Sequence, residues 1–88
     1  MKIVESHKFR KSFNSLDISV KRKTQKQFNL FLQNVFHPSL NTEKLEPKNK
    51  NIWSFRIDKN FRVIFTFTDK EKIYILDIGP HNIYKKIK

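Results

Sequence analysis

The sequence predicts an α+β fold in which a helical hairpin packs on one face of a mainly antiparallel four-stranded sheet, in the order β-α-α-β-β-β. Two stretches carry that expectation. Between Trp53 and Phe67, apolar residues fall at alternate positions: Trp53, Phe55 and Ile57, then Phe61, Val63, Phe65 and Phe67. That is the period of two half-buried strands. From Ile73 to Ile78 the chain is almost continuously apolar, as suits a central strand covered on both sides. The turn between the first two strands sets their register. Asp58-Lys59-Asn60 has the chemistry of a tight turn. A two-residue loop at Lys59-Asn60 would set Ile57 against Arg62 and mix apolar and charged groups on one face. A three-residue loop, with Asn60 in the left-handed region, pairs Ile57 with Phe61, Phe55 with Val63 and Trp53 with Phe65. The other face of the sheet then carries Ser54, Arg56, Arg62 and Ile64.

The remaining elements follow in chain order. Lys2-Ile3-Val4 reads as a short edge strand. Ser6 is a helix cap, and Phe9, Phe13 and Leu16 form one stripe of a helix from about His7 to Leu16. Asn14, Ser15 and Asp17 allow a turn. Ser19 then caps a second helix over about Val20 to Phe36, with Phe28, Phe31, Leu32, Val35 and Phe36 as its apolar stripe. Lys21, Arg22, Lys23 and Lys26 crowd the start of this helix, against the sense of the helix dipole; they form either a solvated face or a phosphate-contacting patch. His37-Pro38 marks the end of the helix, because a residue before proline is pushed out of the helical region. The polar connection to Lys50 is anchored by Leu40 and Leu45. Gly79 to Tyr84 closes the last strand, and Lys85, Lys86 and Lys88 make a basic tail.

Length and charge narrow the function. The 88 residues make one domain, residues 1–88, with a thin core in which nine Phe supply much of the buried area. No cysteine is present, which removes disulfides and thiolate metal sites and fits a reducing cytoplasm. The N-terminus has no long apolar run, so neither a signal peptide nor a membrane span is expected. Nineteen Lys and Arg face eight Asp and Glu, for a net charge of +11. Residues 1–50 hold eleven basic and four acidic groups, and residues 51–88 hold eight and four. The field therefore covers the whole body, and its complement is a polyanion or an acidic protein.

Most catalytic patterns are missing. Gly79 is the only glycine, so there is no glycine-rich phosphate loop. His7, His37 and His81 are scattered, so no metal site and no cofactor are expected. What remains is a convergence on the face without helices. Arg56 and Arg62 lie on neighbouring strands, and His81 and Tyr84 follow the end of the next. Two guanidiniums can hold a phosphate and stabilise charge building on it. A histidine moves protons near neutral pH, and an aromatic ring stacks on an unpaired base. Such a set can cleave RNA without metal: a base takes the 2′-hydroxyl proton, the oxygen attacks phosphorus, and an acid protonates the leaving 5′ oxygen.

Leu45, Ile52-Trp53-Ser54-Phe55-Arg56-Ile57, Phe61-Arg62-Val63-Ile64-Phe65 and Ile78-Gly79-Pro80-His81-Asn82-Ile83-Tyr84 together resemble the RelE/ParE superfamily of bacterial type II toxins, over essentially the whole chain. The Trp-Ser-x-Arg-Ile segment is similar to the YoeB branch. The resemblance implies a metal-independent endoribonuclease, an mRNA interferase that cuts messenger RNA in the ribosomal A site and inhibits translation. It also implies contact with ribosomal RNA, neutralisation by a cognate antitoxin, no small-molecule cofactor and a cytoplasmic location. Arg62 matches the strand arginine that contacts the scissile phosphate in RelE and YoeB. Arg56 falls where RelE has a catalytic lysine, and Ser54 where it has another. His81 sits at a RelE arginine and a YafQ-like histidine, and Tyr84 resembles the C-terminal aromatic. Glu43 corresponds to the glutamate suggested as the base in YoeB. Either His81, the first choice, or Glu43 is then the general base. Lys21, Arg22, Lys23, Lys26, Lys85 and Lys86 are the candidates for RNA or ribosome contact. Two other functions fit the same chain: a ParE-like inhibitor of DNA gyrase, and an RNA- or ribosome-binding domain whose arginines only position phosphates.

Overall fold

A computed structural model of the protein describes residues 2–68 and 71–83. Five strands form one mixed sheet: β1 (Lys2–Glu5), β2 (Glu43–Lys44), β3 (Trp53–Arg56), β4 (Phe61–Phe67) and β5 (Lys72–Pro80). Their spatial order is β1-β5-β4-β3-β2. β1 runs parallel to β5, and the other neighbours are antiparallel. Two helices, α1 (His7–Asn14) and α2 (Ile18–Gln33), follow β1. The α+β class and the element order match the sequence reading. The strand count is five rather than four, because the two-residue β2 adds an edge. Its Glu-Lys sequence carries no alternating apolar signal.

The β3–β4 register is the one the sequence requires: Trp53 faces Phe65, Phe55 faces Val63 and Arg56 faces Arg62. The turn is made differently from the expectation. Asn60 does not take a left-handed conformation; among the described non-glycine residues only Asn41, Asn51 and Glu71 have positive φ. Instead the Asp58 carboxylate accepts from the Asn60 and Phe61 amides (2.8 and 2.9 Å) and from Lys23 Nζ (3.2 Å). Burial pushes the Asp58 carboxyl up, but the two amides and Lys23 together hold it below the ordinary carboxylate range. A lowered folded value stabilises the fold at pH values above the unfolded one, and that contribution is lost as pH falls through the folded value. The melting-temperature gap between the protein and Asp58→Ala is therefore expected to be full above about pH 4.5 and to shrink as pH falls below about 4. A gap that persists unchanged at pH 2 would refute this role.

Both helices are capped before their apolar stripes begin. The Phe9 amide donates to Ser6 Oγ (2.9 Å), and Ser6 Oγ donates to the Leu76 carbonyl (2.8 Å). That carbonyl belongs to a bulge, since Ile64 pairs with Asp77 and Phe65 with Ile75, leaving Leu76 without a partner. α2 starts earlier than expected and is capped by Asp17, which accepts from the Ser19 amide (3.0 Å). The anionic cap offsets the basic first turn at the positive end of the helix dipole. The helix also stops earlier, at Gln33, with Asn34 extended. The buried stripe of α2 is therefore Val20, Thr24, Gln27 and Phe31. Leu32 and Phe36, both expected in the core, are 63% and 57% exposed.

Two cores result. The larger lies between the helices and the sheet and is aromatic. Phe31 sits at its middle, 4.5 Å from Phe55, 5.0 Å from Phe65 and 6.0 Å from Phe28 between ring centroids. The smaller lies on the opposite face, where Leu45, Ile64 and Ile83 are buried against Ile52 and Leu76. That face is therefore not open along its length. Leu45 and Ile83 pack over Ile64, and Ser54 is 1% exposed, whereas Arg56 at the end of β3 is exposed and Arg62 opposite it partly so. No helix among the described residues is long and apolar enough to cross a membrane.

Candidate active site

The sheet positions Arg62 by alternation. Phe61, Val63 and Phe65 belong to the helix-side core, so Arg62 projects to the other face. Its Cα partners are Arg56 on β3 and Gly79 on β5. Two cations directly opposite repel, and a carboxylate relieves this: Glu43 Oε1 accepts from Arg62 Nη1 at 2.9 Å. Glu43 reaches Arg62 across β3. Its own register partner is Ser54, and the partner of Ser54 is Ile64, not Arg62. Ser54 is small and 1% exposed, and its hydroxyl is buried without a hydrogen-bond partner.

His81 comes to the same place through the end of β5. Its amide donates to the Asn60 carbonyl (3.0 Å), which fixes the strand end against the β3–β4 turn. Gly79 leaves room for Ile83 against the strand: a Cβ there would lie 2.5 Å from Ile83 Cδ1 and 3.2 Å from its Cγ1, so a larger residue would force the Ile83 side chain to shift. His81 is exposed, and its ring has no hydrogen-bond partner among the described residues.

Glu43, Glu46, Arg62, His81 and Asn82 line one open cleft of about 500 Å³, together with Lys44 and Leu45. Three of the five residues proposed for catalysis from the sequence, Glu43, Arg62 and His81, thus share one surface. Arg56 is exposed and directly opposite Arg62 in the register but does not line the cleft. Tyr84, Lys85 and Lys86 lie outside the described residues. The basic start of α2 belongs to the helix layer, away from the cleft. Lys21 lies over the Phe13 ring (5.9 Å), Lys23 pairs with Asp58, and Arg22 and Lys26 are exposed.

Sequence reasoning missed one supporting residue. Gln27 Nε2 donates to the Arg56 carbonyl (2.8 Å) and the Ser39 carbonyl (3.2 Å), tying α2 to the end of β3. A polar residue on a stripe of spacing 20, 24, 27 and 31 is the signal that could have revealed it. Chemically, the cleft offers a cation that can hold a phosphate, a carboxylate, and an imidazole free to exchange protons. Among the described residues no group of three His, Cys, Asp or Glu is arranged to hold a metal ion.

The fold and sequence also have relatives. No curated protein matches the sequence. Among solved structures, the chain is similar to a YoeB/ParE toxin from Agrobacterium tumefaciens, with a TM-score of 0.75, 16% identity, and 92% and 99% of the two chains covered. It is also similar to a chain of the archaeal RelE-RelB complex from Pyrococcus horikoshii OT3 (0.72, 18%, 92% and 94%). YafQ from E. coli gives 0.70, 18%, 94% and 96%. At such identities these likenesses establish the fold alone. The family is settled by sequence: the model of the HigB-like toxins, RelE-like toxins of type II toxin–antitoxin systems, matches residues 4–81. Spanning all but the chain ends, and agreeing with the sheet and helix order above, that match makes this protein a member of the HigB-like family of RelE-like toxins.

Proposed function

We propose that this toxin is an endoribonuclease that cuts messenger RNA in the ribosomal A site, with the Glu43–Arg62–His81 cleft as its reaction centre. The observation that carries the reading is the shared cleft itself, which is lined by a strand-anchored guanidinium, the carboxylate paired with it and an exposed imidazole. Arg62 holds the scissile phosphate and Arg56 adds a second positive charge beside it. His81 takes the 2′-hydroxyl proton, and the 2′ oxygen forms a bond to phosphorus while the bond from phosphorus to the 5′ oxygen breaks. The 5′ oxygen takes up a proton, leaving a 2′,3′-cyclic phosphate and a 5′-hydroxyl. Charge on the intermediate phosphorane is stabilised by the guanidiniums. Catalysis of this kind needs only groups from side chains.

The partners follow from charge and exposed surface. A net charge of +11 favours binding to ribosomal RNA, and Arg22 and Lys26 on α2 are exposed for it. A cognate antitoxin of acidic character complements the same field, and Ile18, Leu32 and Phe36 are the exposed apolar residues it would cover. Primer extension on translated messages after induction tests the nuclease. Discrete new 5′ ends are expected inside reading frames, and none in a message lacking a ribosome-binding site. Intact transcripts together with loss of DNA supercoiling by gyrase would overturn the reading in favour of a gyrase inhibitor.

A further inference from the structure

We infer that Glu43 is an internal competitor for the substrate phosphate: in the free protein it holds Arg62, and a phosphodiester must displace it to bind. The inference rests on the cleft proposed above as the reaction centre, but not on cleavage. Three observations support it. First, the Glu43–Arg62 contact is short, at 2.9 Å, and joins strands that are not neighbours. Second, the contact has a reason to form without substrate, because Arg62 lies directly opposite Arg56 and needs a counter-ion. A phosphodiester meets that need in the same way, with two oxygens for one guanidinium. Third, the pair is set up to part. Arg62 is 21% exposed and Glu43 50%, so the carboxylate can return to water at little cost. Glu43 also sits on a two-residue edge strand paired only to β3. Ser54, its register partner, is small enough to leave a path over β3, so a bulkier side chain there would separate the carboxylate from the guanidinium.

The cleft of the resting protein is thus less positive than the +11 body around it. A lone anion must compete with Glu43. A strand of RNA also gains contacts from the neighbouring cations, and so it displaces the carboxylate more readily. The displaced carboxylate remains in the cleft beside His81, where it can orient the imidazolium formed on proton transfer.

Binding of a 2′-O-methyl RNA oligonucleotide, which cannot be cleaved, isolates this effect. Glu43→Gln is expected to bind it roughly three- to fivefold more tightly than the unchanged protein at moderate salt, the upper end of the scale of a partly exposed ion pair. In an Arg62→Ala background the same substitution is expected to gain less than about twofold, because the competed group is gone. Glu46→Gln is the charge control: Glu46 lines the cleft but pairs with Lys48 (3.9 Å), and its removal is expected to gain less than about twofold. Glu43→Ala serves as a second variant should Glu43→Gln melt lower than the unchanged protein. Equal gains from Glu43→Gln and Glu46→Gln, or a gain that survives in Arg62→Ala, would overturn the inference. Tighter binding by Glu43→Gln with no transcript cleavage by the unchanged protein would uphold it while removing the nuclease reading.

Discussion

Arg62→Ala is expected to lower the single-turnover rate of transcript cleavage on programmed ribosomes by about 10²–10³-fold, the loss seen when one preorganised donor is taken from a charged transition state. The magnitude rests on position. Arg62 is carried on a central strand and flanked by register partners on both sides, so its guanidinium is held in place before substrate arrives. The fold should survive the change. Its counter-ion Glu43 is half-exposed and is left solvated rather than buried, so stability should move by no more than about 1 kcal/mol. Arg62→Lys keeps the charge but loses the planar fork, and should recover only part of the rate. A rate for Arg62→Ala within about threefold of the unchanged protein would remove Arg62 from the chemistry.

Phe31→Ala is expected to destabilise the fold by about 3–5 kcal/mol, the usual cost of truncating a fully buried aromatic. Small domains have only about 5–15 kcal/mol in total, so much of the protein's stability is at stake. Phe31 is buried at the centre of the ring cluster formed with Phe28, Phe55 and Phe65. Those rings come from both a helix and two strands, so a cavity there loosens the contact between the layers. Urea denaturation followed by circular dichroism measures the loss, with Leu32→Ala as the control. Leu32 is the next residue on the helix and mostly exposed, so its truncation should cost within about 0.5 kcal/mol. A cost below about 1 kcal/mol for Phe31→Ala would mean that the aromatic cluster is not what joins helices to sheet.

The parts of the fold that were legible in the sequence are those in which one physical signal dominates. The β3–β4 register was readable because a one-residue slip would turn Phe55 and Val63 to the wrong face. The cap at Ser6 was readable from residue chemistry alone. The apolar stripe read from the sequence holds at Phe28, Phe31 and Val35, which join the core, but it fails at Leu32 and Phe36 and omits two buried members of α2, Thr24 and Gln27, because they are polar. Thr24 donates to the Val20 carbonyl (2.7 Å) and Gln27 to two carbonyls, and hydrogen bonding is what allows such residues inside. Hydrophobic periodicity cannot register that, so it settled on Leu32 and Phe36 instead. On the sheet, alternation alone places Arg56 and Arg62 side by side. The meeting of Glu43 with Arg62 depends on β2, a strand too short to leave a pattern, and on the turn after Gly79. Only the resemblance to known toxins pointed to Glu43.

The parallel pairing of β1 with β5 sets the order in which the protein can be assembled. Lys2 lies against Lys72 and Glu5 against Ile75, a separation of 70 positions along the chain. No fragment ending before residue 72 can seat its first strand, and the start of α1 is held to β5 through Ser6, whose amide also donates to the Ile75 carbonyl (2.9 Å). Long-range pairing of this kind forms late, after the loop it closes has been gathered. A nascent chain that ends before the last strand therefore has no finished sheet for its helices to pack on. Its Arg62 cannot yet have Gly79 as a neighbour, so the cleft proposed as the reaction centre is complete only after synthesis has passed the last strand.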